Sequence, residues 1–99
     1  MLDAALEIQL YAQSAGRQDL DNDRKLVHSL VRLFEIIGEA AAQVSDELQE
    51  NIPSIPWFII IGMRNRLIHA YFSIDLDVVW KTSIEDIPLL ITELKKIVW

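Results

Sequence analysis

The chain contains no cysteine, which removes a disulfide framework and a thiolate metal site and suits a reducing cytosol. Three glycines and three prolines are too few for a loop-dominated chain. With 52% hydrophobic against 24% charged residues, the composition is that of a globular domain. Long apolar runs are also missing. The longest, Ile55 to Met63, falls well short of the roughly 20 residues that span a bilayer. Before its first apolar positions the N-terminus has no basic residue, and it carries Asp3 and Glu7, so it does not read as a secretory signal. A cytoplasmic location without membrane attachment is expected. Basic residues are scarce: nine Lys and Arg against fifteen Asp and Glu leave a net charge of −6. That excludes the broad phosphate-hugging surface typical of DNA-binding proteins, so no DNA partner is expected and any RNA chemistry must be local.

What is present is helical periodicity over 99 residues, a length that fits one domain, 1–99, with a thin core. From Leu2 to Ala15, Ala4, Ile8, Tyr11, Ala12 and Ala15 form one apolar stripe and Leu2, Leu6 and Leu10 a second. The second stripe needs cover from another helix or another subunit. Gly16 fits a position just past the helix end, and RQDLDND reads as a loop with Asp21 or Asp23 capping the next helix. That second helix is expected to run to about Glu50, burying Leu26, Leu30, Leu33, Phe34, Ile37, Ala41, Val44 and Leu48. His28, Arg32, Glu35, Glu39 and Asp46 face water. Gly38 lies beside the apolar stripe, where another helix can come close.

The prolines of NIPSIP end the second helix, Ser54 can cap a third over Pro56 to His69, and Asp75 can cap a fourth containing Val78, Val79, Trp80 and Ile84. Pro88 kinks or restarts that last helix. With no strand pattern, the expectation is an all-α antiparallel four-helix bundle.

On an ideal third helix Trp57, Ile60, Ile61, Met63, Leu67 and Ile68 share an apolar face with Arg64 in its middle. An arginine there must snorkel, pair with a carboxylate, or face a polar interface. Gly62, Asn65, Arg66 and His69 collect on the opposite face. Arg64 and His69 are five apart, which on a straight helix means about 140° out of line and roughly 7.5 Å along the axis. Aiming both at one phosphate needs the helix to unwind near His69, or two copies of it to meet in a C2 dimer. On the residues alone, His69 also fits a helix C-terminal cap, Arg66 a solvated face, and Tyr71 a buried aromatic. Trp57, Trp80 and Phe34 read as core. Glu35 and Glu39 are like charges that Arg32 can offset, without histidines at the spacing a metal site would need.

The run Arg64, four residues, His69, one residue, Tyr71, preceded by IGM and followed by FSIDLDVVW, resembles the HEPN superfamily and, more narrowly, HepT-like toxins of prokaryotic toxin–antitoxin pairs. RLFEIIGEAA in the second helix and IPW before the third extend the resemblance along nearly the whole chain. It implies a dimeric four-helix domain whose paired motifs form a metal-independent endoribonuclease in a type VII-like system, requiring no cofactor. In that scheme His69 exchanges a proton with the RNA 2′-hydroxyl or the leaving oxygen, Arg64 stabilises phosphorane charge, and Asn65 orients His69 or the scissile phosphate. It further implies a minimal nucleotidyltransferase partner that silences the toxin by transferring AMP to Tyr71. Two other readings stand beside it: a non-catalytic modification substrate of that partner, and a plain helical dimerisation module.

Overall fold

The computed structural model describes residues 1–70 and 73–97, and of Arg64, Ile68, His69 and Ala70 the backbone alone. The first helix, α1, spans Leu2–Gln13 and buries Ala4, Ala5 and Ile8. Leu2 and Leu6 of its second stripe pack partly against the same core, whereas Leu10 stays 66% exposed. The expected loop after it is a second helix, α2 (Arg17–Asn22), so Gly16 precedes a helix instead of merely following one. Its backbone N–H donates to Asp19 Oδ2 at 2.7 Å, and Leu20 plugs into the core at 3% exposure. From α2, Arg17 donates to Asp77 Oδ1 at 2.8 Å and to Asp21 Oδ1 at 3.2 Å, and both carboxylates raise its pKa further.

Asp23 caps α3 (Arg24–Ala42), its Oδ1 accepting from Leu26 N at 3.1 Å. The interior stripe comprises Val27, Leu30, Val31, Leu33, Phe34, Ile37, Gly38 and Ala41, while Leu26 is only half-buried. The helix stops at Ala42 and does not reach Glu50. Ser45 opens a separate helix, α4 (Asp46–Asn51), by accepting from Leu48 N at 3.2 Å. From α4 the Gln49 amide reaches back to the carbonyls of Ala41, which also accepts from Val44 N, and of Val44, tying α4 to the end of α3. Val44 is consequently half-buried, and Leu48 is 39% exposed and does not join the core.

Ile52 to Pro56 form the connection to α5 (Trp57–Ile61), pinned by the Trp57 indole donating to Ile52 O at 3.0 Å. Pro56 sits one position before the helix, and Ser54 does not cap it. Gly38 lets α5 approach α3 closely: a β-carbon there would lie 3.3 Å from Ile60 O. The expected third helix is interrupted at Gly62, resumes as α6 (Met63–Leu67) and ends two residues short of His69. An antiparallel hairpin of β1 (Ile68–Ala70) and β2 (Ser73–Ile74) follows where no strand was expected.

Asp75 caps α7 (Leu76–Lys81) through Val78 N at 3.1 Å, as its position suggested. A π-helical turn over Thr82–Asp86 joins α7 to α8 (Ile87–Lys95). There the Ile87 N–H donates to Thr82 O, five residues back. That slip falls one residue before Pro88, which has no N–H to give, so the chain absorbs the proline by a change of hydrogen-bond register. Ser83, buried within the turn, donates to Val79 O at 2.8 Å.

In the packing, α3 contacts α1 on one side and α5 and α6 on another, and α8 lies against α1. One continuous core centres on Ile8, Phe34, Ile37, Val79, Ile87 and Leu94. The fold is all-helical apart from the small hairpin. Among the described residues no helix is long and apolar enough to cross a membrane.

Candidate ribonuclease site

Met63 and Leu67, 3% and 1% exposed, anchor the inner side of α6 and leave Asn65 and Arg66 exposed on its outer side. The helix starts with Asn65 N donating to Gly62 O at 3.1 Å and ends at Leu67, whose carbonyl accepts from Asp75 N at 2.8 Å. The backbone therefore leaves helical geometry between Arg64 and His69. The divergence of about 140° belongs to a straight helix and does not apply here. In the hairpin Ile68 pairs with Ile74 and Ala70 with Ser73, so β1 has one residue more than β2 over this interval. The extra residue is His69. Bulges of this kind are enriched next to active sites. Tyr71 lies outside the described residues.

Gly62 is the notch between α5 and α6. Its φ of −85° is ordinary for any L-residue, and a β-carbon would meet Phe58 O at an unremarkable 3.5 Å. Among the described residues no neighbour therefore requires glycine there. Beside it, Phe58 and Ile61, three apart on one side of α5, are 90% and 40% exposed. With Ile59 at 50% exposure they make a contiguous exposed apolar surface on α5, the kind of patch that marks interaction sites.

On the other side of α5 and α6, Ile59, Met63 and Arg66 face Leu89, Leu90 and Glu93 of α8 across a cavity of about 350 Å³. Ser54 and Asp86 complete its edge. Glu93 Oε1 accepts from Lys96 Nζ at 3.1 Å, and hydrogen bonding from Lys96 and from Ser54 holds the Glu93 carboxyl below the usual glutamate range. Ser54, expected to cap a helix, lies instead on the edge of this cavity. Sequence reasoning set Arg66 aside as solvated and did not consider Asp86 or Glu93, because nothing in the spacing links positions twenty or more residues apart. On α3, Arg32 lies 3.8 Å from Glu35 and 3.6 Å from Glu39, offsetting that like-charged pair, and His28 is exposed.

A mostly helical domain whose Arg-x4-His run crosses a helix end agrees with the HEPN superfamily that the sequence resembles. More narrowly, the chain belongs to the ribonuclease HepT-like family, whose model matches residues 1–97. A Thermococcus cleftensis protein named "Probable ribonuclease HepT" is 41% identical over 90 residues, 91% of this chain and 82% of that protein. A Methanocaldococcus jannaschii protein provisionally named an RNase, MJ1380, is 32% identical over 95 residues, covering 96% of this chain and 87% of its own. A similarly named protein of Caldanaerobacter subterraneus is 39% identical over 80 residues, 81% of this chain and 71% of that one. No solved structure gives a significant match.

Proposed function

We propose that the protein is a metal-independent endoribonuclease acting as the toxin of a toxin–antitoxin pair, with Arg64 and His69 as its catalytic residues and Asn65 in support. The observation that carries the reading is the end of α6 at Leu67, which frees the backbone at His69 from the helical register of Arg64. In the reaction His69 takes the proton from an RNA 2′-hydroxyl or gives one to the departing 5′-oxygen. The 2′-oxygen attacks the adjacent phosphorus, the P–O5′ bond breaks, and a 2′,3′-cyclic phosphate remains. Arg64 stabilises the extra negative charge of the phosphorane through its fixed donor fork.

The active form is a homodimer in which a second copy covers Phe58 and Ile61 beside the motif, placing two half-sites in one cleft. Cytoplasmic RNA is the substrate, and a minimal nucleotidyltransferase is the antitoxin. AMP transferred to Tyr71 puts phosphate charge two residues from His69 and repels the RNA backbone, which suffices for inhibition.

Expression in bacteria tests this reading. Wild type arrests growth, His69→Ala does not, and co-expression with a minimal nucleotidyltransferase encoded beside it relieves the arrest and adds AMP masses that Tyr71→Phe abolishes. Arrest that persists in His69→Ala contradicts the catalytic assignment. AMP addition undiminished in Tyr71→Phe contradicts the modification site.

A further inference from the structure

The cavity between α5–α6 and α8 has a composition that the proposed chemistry does not use. Its walls are apolar: Ile59, Met63, Leu89 and Leu90. Besides Ser54 and the Asp86 carboxylate, two charged side chains sit on its edge. One is Arg66, exposed and without a hydrogen bond or ion pair among the described residues. The other is Glu93, half-buried and held ionised by Lys96 and Ser54. A carboxylate offers about four lone-pair directions, so Glu93 keeps acceptor capacity after binding these two donors. Arg66 belongs to the same RNRLIHAY run as Arg64 and His69, and three residues of chain separate it from His69 by at most about 10 Å.

These features together describe a receptor for a flat apolar ring that carries N–H donors and is attached to an anion. An unpaired guanidinium at the mouth complements a phosphate. Aliphatic and thioether walls at about 350 Å³ accommodate one base, at the small end of ligand pockets. A fixed carboxylate accepts from exocyclic amines and ring N–H groups and repels carbonyl edges. Resting on the ribonuclease reading above, we propose that the cavity is a base-recognition subsite for the nucleotide next to the scissile phosphate, with Arg66 on its phosphate and Glu93 reading its pairing edge. Guanine, with adjacent N1–H and N2–H donors for one carboxylate, is the preferred base. Uracil, whose single N–H lies between two carbonyls, is the poorest.

Two measurements on the full chain separate this proposal from the nuclease reading on which it rests. In the first, cleavage ends are mapped on a random-sequence single-stranded RNA. Wild type enriches guanine at one position flanking the cut, Glu93→Gln flattens that enrichment, and Arg66→Gln raises KM about tenfold while kcat stays within about twofold, as expected for ground-state binding. In the second, methyl NMR follows titration with each nucleoside 5′-monophosphate, which requires no cleavage. Guanosine monophosphate shifts the Ile59, Met63 and Leu90 methyl signals, uridine monophosphate does not, and Glu93→Gln removes the difference. A wild type that cuts RNA with unbiased ends, or whose cavity methyls respond alike to guanosine and uridine monophosphates, overturns the subsite. A wild type that binds guanosine monophosphate there and cuts no RNA overturns the nuclease reading and, with it, the role beside a scissile phosphate, leaving only a guanine-nucleotide site in the cavity.

Discussion

At the scale of single residues, the contrast between Arg66 and Glu93 shows how little a side chain's role follows from its neighbours in sequence. Arg66 sits in a basic motif, yet it is the cation at the mouth of an apolar cavity, and Glu93 reaches that cavity from the far end of the chain. The Glu93 carboxyl lies below its ordinary range because Lys96 and Ser54 donate to it in the folded state. A carboxyl depressed on folding binds fewer protons folded than unfolded in the interval between its two pKa values. Its contribution to stability is therefore complete above the usual glutamate range and is lost as pH falls through that range. Thermal or urea unfolding between about pH 6 and pH 3 should show wild type losing more stability than Glu93→Gln. Equal losses would mean that the pairing contributes nothing in solution, as holds for many exposed pairs.

At the scale of elements, legibility followed the strength of the local signal. Asp75, and Asp23 as one of two candidates with Asp21, were readable as caps because a short acceptor side chain before an apolar period has one common use, and both accept the N–H three residues on. Gly38 was readable as a close approach. The breaks were not. Helix α2 carries one buried residue, Leu20, in a polar run, which leaves no periodicity to detect. The stop at Ala42 is accompanied by Gln49 folding back from α4, and the end of α6 by Asp75 N bonding Leu67 O, contacts between elements that no local pattern encodes. The apolar residues Leu67 and Ile68 extend the helical stripe into a strand, so periodicity alone carries the third helix to His69. Two glycines test this picture in opposite ways. Gly38→Ala gains up to about 1 kcal/mol of helix propensity, but it presses a β-carbon against the α5 carbonyls, an overpacking that costs about 1–3 kcal/mol. A net loss near 1 kcal/mol is expected in urea titration. Gly62→Ala meets no such wall and should leave stability within about 1 kcal/mol, or raise it. Should it abolish RNA cleavage at unchanged stability, the notch serves what binds there.

At the scale of the whole molecule, a net charge of −6 and an exposed Phe58 set the terms of association. An acidic chain does not gather RNA by bulk charge, so its affinity must come from a few local cations, which two copies of the motif in one cleft would double. Phe58→Asp places a charge on the proposed contact and leaves the monomer core untouched. It should shift the protein from dimer to monomer in analytical ultracentrifugation, with helical content kept and cleavage lost. A dimer that persists in Phe58→Asp would move the interface to another face, the exposed Leu10 being the next surface to examine. The most direct test of the central claim is cleavage of end-labelled single-stranded RNA by the purified protein in EDTA, with the product ends identified, for wild type, His69→Ala and Arg64→Ala. The account predicts cleavage without metal and 2′,3′-cyclic phosphate ends, with rates at least about 10² lower in both variants at unchanged circular dichroism. Wild-type rates retained by His69→Ala, or activity that appears only with a divalent cation, would contradict it.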